Sequence, residues 1–178
     1  MRICTAKGYP GAVQIRFLPV GKRQTGGNYG KIYAFEPMSN MCGVIQKRVE
    51  NKNVPRVEIL NNAAWNRKEE IYFKEEGAGS CMDSNGEITV QGLDIDSAVN
   101  DEKVTFIKMD IEGSELKALE GAKNTIINNR PRLAICIYHK PMDVIEIASY
   151  LLELIPEYKF YIRHYTSYIW ETVLYAEI

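Results

Sequence analysis

Two short runs, VTFIKM at 104–109 and LAICIY at 133–138, constrain this chain more than any other feature. Apart from Thr105 and Lys108, both are apolar at consecutive rather than alternate positions. A strand with one wet face alternates, so a strand apolar on both faces must be covered on both, as in a parallel sheet between helices. Leu116, Leu119, Lys123 and Ile126/Ile127 mark a helical stripe after the first run. Val144, Ala148, Leu151, Leu152 and Ile155 mark another after the second. Strand, helix, strand, helix in this order predicts β-α-β units.

The same rhythm begins upstream. Lys31–Phe35 is a β-prone run stopped by Glu36-Pro37, and Ser39 stands where a helix cap belongs, ahead of Met41, Ile45 and Val49 at intervals of four. Val57–Leu60 reads as a further strand. Ile71–Phe73 and Glu87–Val90 flank a Gly-, Ser- and Asn-rich stretch with Asn85-Gly86 as its turn signal, which predicts a small β excursion. Near the C-terminus, Tyr158, Phe160, Ile162 and His164 alternate with Lys159, Tyr161, Arg163 and Tyr165, the pattern of a half-exposed strand. Thr172–Ala176 follows too soon for a parallel crossover, so the two strands are antiparallel if they are neighbours. The predicted class is α/β, a mostly parallel sheet with a C-terminal antiparallel hairpin.

With 178 residues, 46% of them hydrophobic, the chain suits one domain spanning 1–178 with a real core. Lys and Arg total 22 against 23 Asp and Glu, a net charge of −1, which argues against a duplex-wrapping or membrane-hugging surface. Cys4, Cys42, Cys81 and Cys136 form no Cys-x-x-Cys pair, so neither a zinc site nor a redox motif is indicated. No apolar run is long enough to span a bilayer, and the start has no signal-peptide core. The expectation is a cytoplasmic protein with no nucleic-acid or membrane partner.

Ligands of open parallel sheets sit beyond the carboxyl ends of the strands. The residues there are Glu36, Asn61-Asn62-Ala63, Asp110 with Glu112, and His139-Lys140. Glu36 suits a ribose diol, although an acid at a loop start can equally face water or favour the next helix. The segment Asp110–Glu115 (DIEGSE) puts three acids near one turn, with Gly113 free to adopt an unusual dihedral. Capping by Asp110 or Ser114 explains part of it; orienting a ligand amine or removing a substrate proton explains more. His139 could act as a base near neutral pH or simply tie to backbone. His164 reads as structural, and the tyrosines at 158, 161, 165 and 168 with Trp170 read as hairpin packing. The spacing does not imply a metal.

Tyr33–Pro37 (YAFEP), Phe106–Glu115 (FIKMDIEGSE) and Glu171–Ala176 (ETVLYA) resemble the FkbM-type methyltransferases, from about Gly30 to the C-terminus. The resemblance implies a Rossmann-like fold and an S-adenosylmethionine-dependent O-methyltransferase acting on a hydroxyl of a sugar or other small molecule. It also implies that Glu36 holds the ribose diol, Asn62 and Ala63 border the adenine, and Asp110 stands near the methionine end. Glu112 and His139 would then bind the acceptor or take its proton. The pattern lacks an acidic glycine loop: Ile3–Ala12 (ICTAKGYPGA) offers only Gly8 and Gly11, with no convincing strand before them. Residues 1–29 are therefore expected to be atypical, roughly the first 25 stemming from a truncated or frame-shifted coding region. The first strand would be missing or altered, with a homo-oligomer as one way to compensate. The alternative is a catalytically inactive binding or assembly module. A nicotinamide-dependent oxidoreductase is disfavoured because no Gly-x-Gly-x-x-Gly follows a strand.

Overall fold

The structure, a computed structural model, describes residues 2–5, 30–76, 79–82, 88–167 and 170–178. Seven strands form the main sheet. β1 (Arg2–Thr5), β2 (Ile32–Phe35), β3 (Val57–Leu60), β8 (Phe106–Met109) and β9 (Arg132–Cys136) pair in parallel. β11 (Thr172–Glu177) lies antiparallel to β9, and β10 (Lys159–His164) antiparallel to β11. The order is β10-β11-β9-β8-β1-β2-β3. This is the expected mostly parallel sheet, with its antiparallel strand second from one edge.

One expectation is corrected at the centre of this sheet. Arg2–Thr5 forms a strand hydrogen-bonded between β2 and β8, so the first strand is present. Four residues suffice because both neighbours complete the backbone ladder of β1, which therefore leans little on its own side-chain pattern. The stretch compared with a glycine loop, Gly8 and Gly11 included, lies outside the described residues.

Alternate side chains along the strands divide between two faces. Tyr33, Phe35, Ile107, Met109, Leu133 and Ile135 join one large buried cluster, whereas Phe106, Ala134 and Cys136 join Val173 on the other face. α1 (Ser39–Asn51) packs Ile45 and Val49 against Ile32 beside the β3 edge. Met38 occupies its N-cap, and the Ser39 hydroxyl donates instead to Asn61 Oδ1 at 2.7 Å, a correction to the capping role expected of Ser39.

The helical stripe after Asp110 is broken into α3 (Glu115–Glu120) and α4 (Lys123–Asn129). Gly121 carries the break: its carbonyl accepts from Asp96 N, and a Cβ there would stand 2.0 Å from Trp65 O. Lys123 is exposed rather than on the buried stripe. In α5 (Asp143–Leu154) the core face is Asp143, Ile147 and Leu151, with Ile155 just beyond. Val144 and Leu152 face outward, which corrects the stripe read from spacing. The helix carries apolar residues on more than half its circumference, so periodicity alone did not fix its rotation. Around the Gly-rich stretch, β4 (Ala63–Trp65), β7 (Ile88–Asp94), β5 (Glu70–Glu76) and β6 (Gly79–Met82) build a second sheet in that order. This is the expected excursion, leading into the short helix α2 (Ile95–Val99); the turn at Asn85-Gly86 lies outside the described residues. Among the described residues no helix is long and apolar enough to cross a membrane.

Candidate active site

The parallel strands deliver their carboxyl ends to one edge of the sheet. Thr5 pairs with Phe35 and Cys4 with Lys108, so Phe35 and Met109 stand level on either side of β1. Glu36 and Asp110 each follow by one residue, and two interstrand spacings separate their strands by about 10 Å. Both acids therefore belong to the same edge, flanking β1.

Glu36 is 1% exposed. Its Oε1 accepts the Met38 N–H at 2.9 Å, and its Oε2 is buried with no hydrogen-bond partner among the described residues. Burial pushes its carboxyl up to about 7, against a smaller downward pull from the Met38 amide. Asn61 braces this corner, its amide donating to the carbonyls of Glu36 at 3.0 Å and Pro37 at 2.9 Å. Asn62 turns the other way, donating to Gln91 O at 3.2 Å, and Ala63 is buried as the first residue of β4. Of the three residues at this strand exit, Asn61 is thus the one tied to Glu36.

A denser constellation lies past β8 and β9. After Asp110 the chain enters left-handed backbone at Glu112 (φ 55°) and Gly113 (φ 85°), as the glycine suggested, and turns back into α3. Neither Asp110 nor Ser114 caps that helix through a side-chain hydrogen bond at its N-cap. Instead the fully buried Glu115 accepts the Ile111 N–H at 2.8 Å through Oε1. The other half comes from the exit of β9. His139 Nε2 lies 3.6 Å from Asp110 Oδ1 and 3.5 Å from Glu112 Oε2, while Nδ1 lies 3.0 Å from Glu115 Oε1. Tyr138 donates its hydroxyl to Asp110 Oδ1 at 2.8 Å. Asp143, buried nearby, accepts the Lys140 N–H at 2.8 Å.

Four carboxylates thus crowd one imidazole. Burial by itself lowers the affinity of His139 for a proton, but Glu115, Glu112 and Asp110 outweigh it and hold the imidazole above its ordinary value. Burial and Asp110 together push the Tyr138 hydroxyl and the Cys136 thiol far up, so both stay protonated. Asp110, Glu112 and His139 are brought together as a set. Glu115, one of the three acids of that turn, and Tyr138 belong to the same site; the four residues between Asp110 and Glu115, closed into one turn, were the available signal. A groove opens from His139 past Lys140 and Pro141 toward His164 and Trp170. Trp170 meets Tyr138 edge-on at 6.1 Å, and His164 Nδ1 lies 2.8 Å from Thr172 Oγ1 across the hairpin, as a structural histidine would. An acidic crevice beside a proton-accepting imidazole can bind cationic groups and take a proton from a hydroxyl.

Known proteins share this fold. The crystal structure of the methyltransferase FkbM from Methylobacillus flagellatus KT superposes with a TM-score of 0.77 at 27% identity, over 98% of this chain and 43% of that one. This chain therefore spans less than half the length of that relative. An rRNA methylase from Streptococcus thermophilus matches with a TM-score of 0.57 at 15% identity, over 99% of this chain and 85% of that one. The N-terminal domain of human METTL16 in complex with SAH matches with a TM-score of 0.56 at 12% identity, over 99% and 60%. These two show the shared Rossmann-like methyltransferase fold. None of the curated proteins matches the sequence. The sequence itself matches the methyltransferase FkbM domain over residues 11–161, which includes the later part of the segment expected to be foreign and leaves residues 1–10 outside. With that match over most of its length and the Asp110–Glu115 turn at the sheet edge, the chain belongs to the FkbM methyltransferase domain family.

Proposed function

We propose that this domain transfers a methyl group from S-adenosylmethionine to a hydroxyl oxygen of a small-molecule acceptor, with carbohydrates as the first class to test. The single observation carrying this reading is the level placement of Glu36 and Asp110 across β1, with Glu112 and His139 gathered on the Asp110 side. The cofactor supplies an electrophilic methyl on a sulfonium. Glu36 fits its ribose diol, because Oε2 is a buried acceptor lacking a donor. Asp110, steadied by Tyr138, fits the amino group at the methionine end. Asn62 and Ala63 border the adenine at the exit of β3, with Asn61 fixing that corner.

On the acceptor side the residues have two tasks. The groove wall at Tyr138 and Trp170 holds the acceptor so that its oxygen faces the methyl carbon, and positioning of this kind accounts for about 7–11 kcal/mol of a barrier. Bound S-adenosylmethionine would supply the methyl group to the acceptor oxygen, and the Asp110, Glu112 and His139 group would take the hydroxyl proton. Such proton removal adds a typical ~10²–10⁴-fold. Calorimetry with S-adenosylhomocysteine tests the reading: wild type binds, and Glu36→Ala and Asp110→Ala each lose at least about tenfold, as expected for a hydrogen bond to a charged group. Absence of binding by the wild type leaves the inactive binding module as the function.

A further inference from the structure

We propose that Asp110, Glu115 and His139 form a binding site for one divalent first-row metal ion, with Mn²⁺ or Zn²⁺ as the fitting class. One oxygen of Asp110, one of Glu115 and a ring nitrogen of His139 lie within 4.8 Å of one another. A cation with bonds of about 2.1 Å spaces adjacent donors by about 3.0 Å and opposite donors by about 4.2 Å. The Glu115 Oε1 to His139 Nδ1 separation of 3.0 Å is an adjacent-donor edge of that size.

The decisive observation is what this close pair does not do. At 3.0 Å the imidazole and carboxylate are near enough to hydrogen-bond, yet neither ring nitrogen has an aligned hydrogen-bond partner, and Glu115 Oε2 has none either. Glu115 is fully buried and the His139 side chain is only 7% exposed. Buried polar atoms without hydrogen bonds are expensive, and a cation held by Asp110, Glu115 and one ring nitrogen of His139 offsets part of that cost. Charge agrees: two carboxylates and a neutral imidazole balance a divalent ion. The mixed oxygen and nitrogen donors favour Mn²⁺ or Zn²⁺ over Ca²⁺. Supporting contacts are in place as well, since Tyr138 donates to Asp110 and the Ile111 N–H to Glu115, fixing two ligands from behind.

The catalytic use of the ion rests on the methyltransferase reading. Held there, the ion would make an acceptor hydroxyl more acidic, and Glu112, 3.5 Å from His139 Nε2, rather than the ligands Asp110 or His139, would then receive its proton. Binding itself does not rest on that reading, so it is measured alone. The protein is stripped with chelator and titrated with Mn²⁺ by electron paramagnetic resonance and with Zn²⁺ by calorimetry, with no cofactor or acceptor present. One equivalent should bind, and His139→Ala and Glu115→Gln should each weaken it at least about tenfold. Far-UV circular dichroism and a urea midpoint on the same samples certify that each variant is folded, and S-adenosylhomocysteine affinity is measured beside them; should Glu115→Gln not fold, His139→Ala decides. No binding at millimolar metal, or binding unchanged in a folded His139→Ala, overturns the site. Loss of S-adenosylhomocysteine binding in a wild type that still holds metal overturns the methyltransferase reading instead.

Discussion

In the proposed reading, Glu36 serves a ligand at the expense of the fold. Burial disfavours the charge and pushes its carboxyl up to about 7, against about 4.5 for the exposed carboxyl of the unfolded chain. Between these values the folded state binds more protons than the unfolded state, so stability falls as pH rises through this window and then levels off. The difference amounts to about 3 kcal/mol at most. Glu36→Gln should therefore raise the denaturant midpoint at pH 8 and change it little at pH 4, read by urea titration at both. Binding of S-adenosylhomocysteine should move oppositely. If the ribose hydroxyls donate to the carboxylate, wild-type affinity rises with pH until about 7 and is flat above, while Glu36→Gln binds more weakly and without that slope. Calorimetry across pH 5.5 to 8.5 checks it, and a sloping Glu36→Gln profile would assign the proton to another group. Gly121 makes a simpler case. A methyl group 2.0 Å from Trp65 O must push α3 off β4, so Gly121→Ala should cost roughly 1–3 kcal/mol or more, with urea unfolding as the measure.

Among the elements, α5 separates two apolar stripes that a sequence cannot rank. Ile147 and Leu151 are wholly buried; Val144 and Leu152 are 38% and 42% exposed. Leu151→Ala should cost about 2–5 kcal/mol, and Leu152→Ala under about 1. Equal losses would return the helix to the rotation first read from its spacing. The strands were easier to read for a physical reason: β8 and β9 are covered on both faces, and their unbroken apolar runs advertise it. β1 carried no such sign, because its place is secured by backbone pairing to neighbours far along the chain. The acidic turn was legible as a cluster through Asp110, Glu112 and Gly113. The burial of Glu115 was not, since the meeting with His139 depends on β8 and β9 being adjacent.

The whole molecule grades its own stability across the sheet. β2, β8 and β9 lie inside and bury nearly every side chain, whereas β10 sits at the edge with all but Phe160 exposed. In hydrogen exchange, amides of Ile107 and Ile135 should exchange only through global unfolding, and those of Tyr161 and Arg163 much sooner. Comparable rates would mean that another surface covers β10, which the greater length of the Methylobacillus flagellatus relative makes worth measuring in any longer form.

The placement of β11 between β9 and β10 also dictates an order of assembly. β10 leaves the ribosome first, yet among the described residues its only sheet neighbour is the strand made after it. It must wait, unpaired, until Thr172–Glu177 has been synthesised and inserted, and for that interval its Tyr161 and Ile162 lie open to chaperones or to misdirected pairing. Any ribosomal pause between these two strands lengthens that exposure.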